Sequence, residues 1–215
     1  MMCLFKTTCS SLPAMLGMAV LIFLGSCAST NQSAERDSTV AKDPHRDSDL
    51  ARKQTDQATA LIDQGKWTEA ETSLHQALDA DVMYGPAHNN LGTVYLHQNN
   101  LYSAAWEFQY AAKLMPYSPQ PRSNLGLVLE QAGKLDEAID SYEQAVKIEP
   151  DNPQFVGNDA RARIRRGDRD QKVRELLAKL SLIDTRPDWA QWARERLVLL
   201  GSTPAPSSTQ PQEQP

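Results

Sequence analysis

The feature that most limits what this chain can fold into is a period of 34 residues, carried without a gap through its middle. Residues 119–152 contain Asn124-Leu125-Gly126, Leu129, Gly133, Leu135, Ala138, Tyr142, Ala145, Ile148 and Pro150. One period earlier stand Asn90-Leu91-Gly92, Tyr95, Asn99, Leu101, Ala104, Phe108, Ala111, Leu114 and Pro116. Another period earlier come Gln57-Ala58, Leu61, Gly65, Trp67, Ala70, Leu74, Ala77 and Ala80. Units this short cannot bury a core alone, so neighbours must stack and share one. Small residues at unit positions 8 and 20 (Gly92 with Ala104, Gly126 with Ala138) let two antiparallel helices approach, and large residues at positions 7, 11 and 24 fill the remaining space. Gly65, Asn99 and Gly133 fall where the first helix ends and a left-handed conformation is wanted. Pro116 and Pro150 stop the second helix. The first unit has Val82 in place of that proline and Gln57 in place of a leucine.

This pattern resembles the tetratricopeptide repeat (TPR) family, which implies an all-α solenoid of helix pairs. The units span residues 49–84, 85–118 and 119–152, and residues 153–186 read as a degenerate fourth. There Asn158, Ala160, Gly167 and Leu176 fall on positions 6, 8, 15 and 24, but Asp159 and Lys172 on positions 7 and 20 speak against close packing of that pair. Residues 187–200 place Trp189, Trp192, Ala193, Leu197 and Leu200 at helical spacing, as a helix that caps the solenoid. Its two tryptophans serve either that packing or a ligand.

The resemblance also implies a concave face, lined by the first helix of each pair, that binds an extended or helical segment of a partner protein. Position 6 supplies Asn90, Asn124 and Asn158. An asparagine amide donates and accepts, so it can hold a peptide backbone, although asparagine is also simply frequent at this position. Further lining comes from Arg52, Thr55, Asp56, Thr59 and Asp63 in the first unit, Asn89, Thr93 and His97 in the second, Ser123, Leu127, Glu130 and Gln131 in the third, and Arg161 and Arg165 in the fourth. The basic clamp by which some family members hold chaperone tails is replaced here by Thr55, Gln120 and Asn124. Such tails are therefore not the expected ligand.

Two features stand outside this scheme. Tyr102, Trp106 and Tyr110 recur at i, i+4 and i+8 where the neighbouring units carry Thr68, Thr72, Gln76 and Asp136, Asp140, Gln144. An aromatic stripe on the convex side is either a contact surface or a patch covered by the chain's own linker or tail. Residues 161–166 hold four arginines, with Arg169, Lys172 and Arg174 following. They suit an acidic partner segment or anionic headgroups, or pair internally with Asp168, Asp170 and Glu175.

All three cysteines (Cys3, Cys9, Cys27) lie in the first 27 of 215 residues. That excludes a disulfide scaffold, cysteine catalysis and a cysteine-ligated metal in the body. After Lys6, residues 12–24 form an apolar run shorter than the roughly 20 residues that span a bilayer. This is the layout of an export signal. Leu24-Gly25-Ser26-Cys27 resembles the lipobox of bacterial lipoproteins. The resemblance implies removal of residues 1–26 and lipid on Cys27, whose two or three chains anchor stably. Ala28 after the cysteine implies the outer membrane, facing the periplasm, while ordinary cleavage after Ala28 is the competing reading. Residues 27–48 read as a flexible tether and residues 201–215, with four prolines, as a disordered tail.

A net charge of −5 argues against nucleic-acid binding. His45, His75, His88 and His97 lack metal-ligand spacing, and no glycine-rich phosphate loop occurs. Neither an enzyme nor a cofactor or metal is expected. The sequence reads as an envelope lipoprotein that scaffolds protein partners, for instance in a pilus or secretion complex. A soluble periplasmic regulator or chaperone-like binding protein is the other reading.

Overall fold

Nine helices, without a strand between them, make up the described part of the computed structural model, residues 46–202. They are α1 (Ser48–Asp63), α2 (Trp67–Ala80), α3 (Gly85–His97), α4 (Leu101–Leu114), α5 (Gln120–Gln131), α6 (Leu135–Ile148), α7 (Pro153–Arg166), α8 (Gln171–Ile183) and α9 (Pro187–Ser202). Each helix packs on the next, and α1, α3, α5 and α7 also touch in series, as in a solenoid of antiparallel pairs closed by α9. The expected signal segment, Cys27, most of the tether and the tail from residue 203 lie outside the described residues. Among the described residues, no helix is long and apolar enough to cross a membrane.

The turns within pairs reverse through left-handed residues: Gly65, Asn99, Gly133 and Gly167 have φ of 73°, 59°, 77° and 103°. Asparagine is among the few side chains that tolerate this region. Turns between pairs are fixed in two ways. Pro116 and Pro150 follow α4 and α6. Where the proline is missing, a buried aspartate does the same work. Asp81 accepts from the Met83 amide at 3.0 Å, and Asp184 from the Arg186 amide at 2.9 Å. Arg46 Nε and Ser48 Oγ also donate to Asp81, at 2.8 and 2.6 Å. The end of the expected tether therefore belongs to the fold, with Asp47 capping α1 through the Leu50 amide. At the other end α9 runs on to Ser202, two residues past the expected helix end.

Helix-pair contacts show a volume exchange. Gly92 faces the Phe108 ring, 2.8 Å from where a Cβ would stand, and Gly126 faces Tyr142 at 2.6 Å. In the first pair the same two positions hold Ala58 and Leu74, both fully buried. Glycine is thus matched with an aromatic ring and alanine with leucine, which keeps the interior close-packed.

The fourth pair corrects the sequence reading. Buried residues of α2 fall at Ala70, Ser73, Leu74 and Ala77, and those of α8 at Val173, Leu176, Leu177 and Leu180. That set is offset by one residue from the period of 34, because the turn between α7 and α8 is one residue longer than its counterparts. Leu177, fully buried, takes the place expected of Leu176, and Val173 takes that of Lys172, which is exposed. The pair closes with apolar side chains after all. Asp159 is buried as its position 7 requires, held by Arg163 Nε at 2.7 Å. Trp189 of α9 lies over Gly157 and edge-on to Trp192, 5.6 Å between centroids, so it packs the end of the solenoid.

Candidate functional site: the concave groove

The first helices of the pairs present their outer residues along one face, and these residues are bonded to one another across pairs. Asn90 Nδ2 donates to Thr59 Oγ1 at 2.9 Å, and Asn124 Nδ2 to Asn89 Oδ1 at 3.0 Å. Asn89 Nδ2 in turn donates to Asn90 Oδ1 at 3.3 Å, and Gln120 Nε2 to Asn124 Oδ1 at 3.2 Å. The result is a relay, Gln120 to Asn124 to Asn89 to Asn90 to Thr59, whose donors all point toward the first pair. The Thr59 hydroxyl ends it on the Thr55 carbonyl at 3.0 Å. Asn158 Nδ2 makes a separate bond to Ser123 Oγ at 3.2 Å. The asparagine ladder is therefore a staple between repeats. Each amide in the relay still has one N–H and one lone pair uncommitted by these bonds.

The remaining expected lining divides by location. Thr93 and Leu127 are half-buried on this face, and His97 is exposed with its ring on Trp67, 3.7 Å between centroids. Arg161 and Arg165 both close on Glu130, which is 3% exposed. Arg161 Nη2 and Arg165 Nη1 lie 3.0 and 2.6 Å from its oxygens, and Tyr142 donates its hydroxyl at 2.8 Å. Burial alone would raise the Glu130 carboxyl, but these three partners hold it below its ordinary value. Burial, with the adjacent negative charge, pushes the Tyr142 phenol far above its usual range. Two guanidiniums on one carboxylate leave this end of the groove net positive.

The other arginines of the run are also paired. Arg163 binds Asp159 and Glu143, and Arg166 binds Asp168 and Asp136. All four arginines of residues 161–166 are thus paired internally, but of the three expected partners Asp168 alone takes part: Asp170 caps α8 through the Val173 amide, and Glu175 accepts from Gln171.

On the convex side Tyr102 and Trp106 are 83% and 62% exposed. Tyr110 is half-buried, its hydroxyl 3.3 Å from Met83 Sδ and its ring edge-on to His88 at 4.6 Å. The stripe is thus two exposed rings and one seated ring. Beneath it His88 Nε2 meets the Val82 carbonyl at 2.8 Å, and Nδ1 meets Glu107 at 2.6 Å. A carbonyl only accepts, so Nε2 carries a proton. Sequence reasoning missed this buried His88–Glu107 contact; its signal is the pairing of positions 4 and 23 across one helix pair.

Comparison with known proteins agrees with this geometry. Tetratricopeptide-repeat models match residues 55–119 and 120–152. The first TPR of Spaghetti (RPAP3), solved with the HSP90 peptide SRMEEVD, is similar over 58% of this chain and 99% of its own, at 22% identity and a TM-score of 0.56. A crystal structure of MamA is similar over 73% of this chain and 83% of its own, at 20% identity and TM-score 0.55. MamA from Desulfovibrio magneticus RS-1 is similar over 64% and 77%, at 18% identity and TM-score 0.57. No curated protein sequence matches the chain. The 34-residue period, the size exchange inside each pair and the stacked first helices agree with these matches: the chain belongs to the tetratricopeptide-repeat family and is a protein-binding repeat scaffold.

Proposed function

We propose that this chain is a non-catalytic adaptor of a bacterial cell envelope, tethered by lipid on Cys27, whose concave groove holds a segment of a protein partner during assembly of an envelope, pilus or secretion complex. The groove floor carries the reading. It is a continuous row of uncharged amides and hydroxyls with spare donors and acceptors, which suits a peptide main chain more than any one side chain. The peptide held by the similar TPR of Spaghetti supports a segment-sized ligand, while Thr55, Gln120 and Asn124 make a doubly acidic tail a poor fit here. The Leu24-Gly25-Ser26-Cys27 sequence supports the anchor.

Photo-crosslinkers replacing Thr93 or Leu127 in living cells test the groove. The expected result is one recurrent protein adduct, lost when Asn90 and Asn124 are changed to alanine. Adducts unaffected by those changes would remove the groove from the function. For the anchor, Cys27→Ser should abolish lipid labelling and release the chain from membranes. Unchanged labelling and fractionation would leave the soluble periplasmic reading in its place.

A further inference from the structure

The convex seam between the second and third pairs is open where the preceding seam is filled. Between α2 and α4, His88, Glu107 and Tyr110 occupy the gap. One period later the same positions hold Arg122, Ser141 and Gln144, and a cleft of about 330 Å³ remains between α4 and α6. Leu125 and Ala112 contribute apolar lining, and Lys113 and Arg122 are its cations. No carboxylate lines it, whereas one period earlier Asp79 stands in place of Lys113. Arg122 is fixed by Nη1, which donates to the Ser118 carbonyl at 2.9 Å. Lys113 forms no ion pair among the described residues.

The cleft continues the aromatic stripe. Tyr102, Trp106, Gln109 and Lys113 lie on one face of α4, and from Tyr102 to Lys113 that face is about 16 Å long. An extended segment of about five residues covers that length. The only carboxylate on α4, Glu107, is turned away to His88. On α6 the exposed carboxylates are Asp136, engaged by Arg166, Glu137, engaged by Lys134, and Asp140, and all three stand outside the cleft lining. In a chain of net charge −5, this face is an uncharged aromatic strip ending in two cations. Exposed tryptophan and tyrosine are the side chains that most often dominate binding energy.

We propose that this face is a second docking surface, for an acidic peptide segment of a protein partner. An apolar side chain of the segment lies against Trp106 and its carboxylates meet Lys113 and Arg122. The site is separate from the groove, on the other side of the helix pairs.

A random 12-residue peptide library, selected on the full chain in detergent, tests this. Enriched peptides should join an aromatic or large aliphatic residue to at least two Asp or Glu. Their affinity should fall at least tenfold on Trp106→Ala and on Lys113→Glu, weaken with added salt, and survive Asn90→Ala with Asn124→Ala. Both changed side chains are exposed, so melting temperature should hold. Enriched peptides without acidic excess, or bound equally by Lys113→Glu, overturn the proposal. So does vesicle binding (phosphatidylcholine with phosphatidylglycerol) or self-association that Trp106→Ala abolishes, which would assign the stripe to a membrane or a second copy. A sharp drop in melting temperature on Trp106→Ala would make the stripe structural and overturn it as well.

Discussion

Tyr142 reaches across the third helix pair to donate its hydroxyl to Glu130 at 2.8 Å, while its ring occupies the space left by the missing side chain of Gly126. One residue thus links the interior of the pair to the basic end of the groove. Glu130→Gln removes the charge that Arg161 and Arg165 share and should cost about 2–4 kcal/mol, below the full penalty for a buried pair because both guanidiniums can rehydrate. Tyr142→Phe keeps the ring and should cost about 1–2 kcal/mol. Urea unfolding checks both. An equal or greater cost for Tyr142→Phe would show that the carboxylate is not the centre of the cluster.

The size exchange between Gly92 and Phe108 makes a pair experiment possible. Gly92→Ala puts a methyl 2.8 Å from the ring and should destabilise by about 1–3 kcal/mol. Adding Phe108→Leu recreates the Ala58–Leu74 combination of the first pair. The double variant should be more stable than the sum of the single changes allows, by about 1 kcal/mol or more. Simple additivity in urea denaturation would mean the two positions do not share their space.

Asp159 gives the stability a pH signature. Burial, outweighing the attraction of Arg163, pushes its carboxyl up to about 6 from an ordinary 3.8. One oxygen, Oδ2, has no hydrogen-bond partner. A carboxyl raised on folding adds stability that is complete below the unfolded value and is lost as pH rises through the folded one. Asp81, Asp168 and Asp184, lowered chiefly by Arg46, Arg166 and Arg186, act in the opposite sense, and Glu130 with them. Their contribution is lost only as pH falls below the ordinary carboxylate range. Melting temperature should therefore rise by a few degrees from pH 7.5 to 5 and fall below about pH 4. Asp159→Asn should flatten the rise and leave the fall. Parallel curves for the two proteins would rule Asp159 out as its source.

Breaking the amide relay separates stability from binding. Asn124→Ala removes the bond to Asn89 and the acceptor for Gln120, at a cost of about 1 kcal/mol. Thermal unfolding should register that modest loss, while groove crosslinking from position 93 should drop several-fold. Full retention of crosslinking would leave the relay a purely structural staple.

Much of this was legible because each unit repeats the same local sizes: Gly92 and Gly126 announce the rings they face, and Gly65, Asn99 and Gly133 announce the turns. The longer turn of the fourth pair was not. Gly167 stands on its expected position, and the extra residue hides in Asp168-Arg169-Asp170, where no apolar side chain marks the phase. The groove was harder for a different reason. Asn90 and Asn124 signalled a polar face, but their partners Thr59 and Asn89 lie 31 and 35 residues away. Glu130 was legible as lining of the groove but not as a buried acid, because its partners Arg161 and Arg165 stand one unit later.

The single added residue between α7 and α8 also decides where this molecule can be lengthened. Upstream of it every seam keeps the same 34-residue phase, and each unit touches only its neighbours. A duplicated copy of residues 85–118 placed after residue 118 would meet the third unit as the original does and would meet the second unit in the same phase. The same insert placed after α8 would arrive out of step with the capping helix. Elongation of this scaffold is open at its middle and closed at its end.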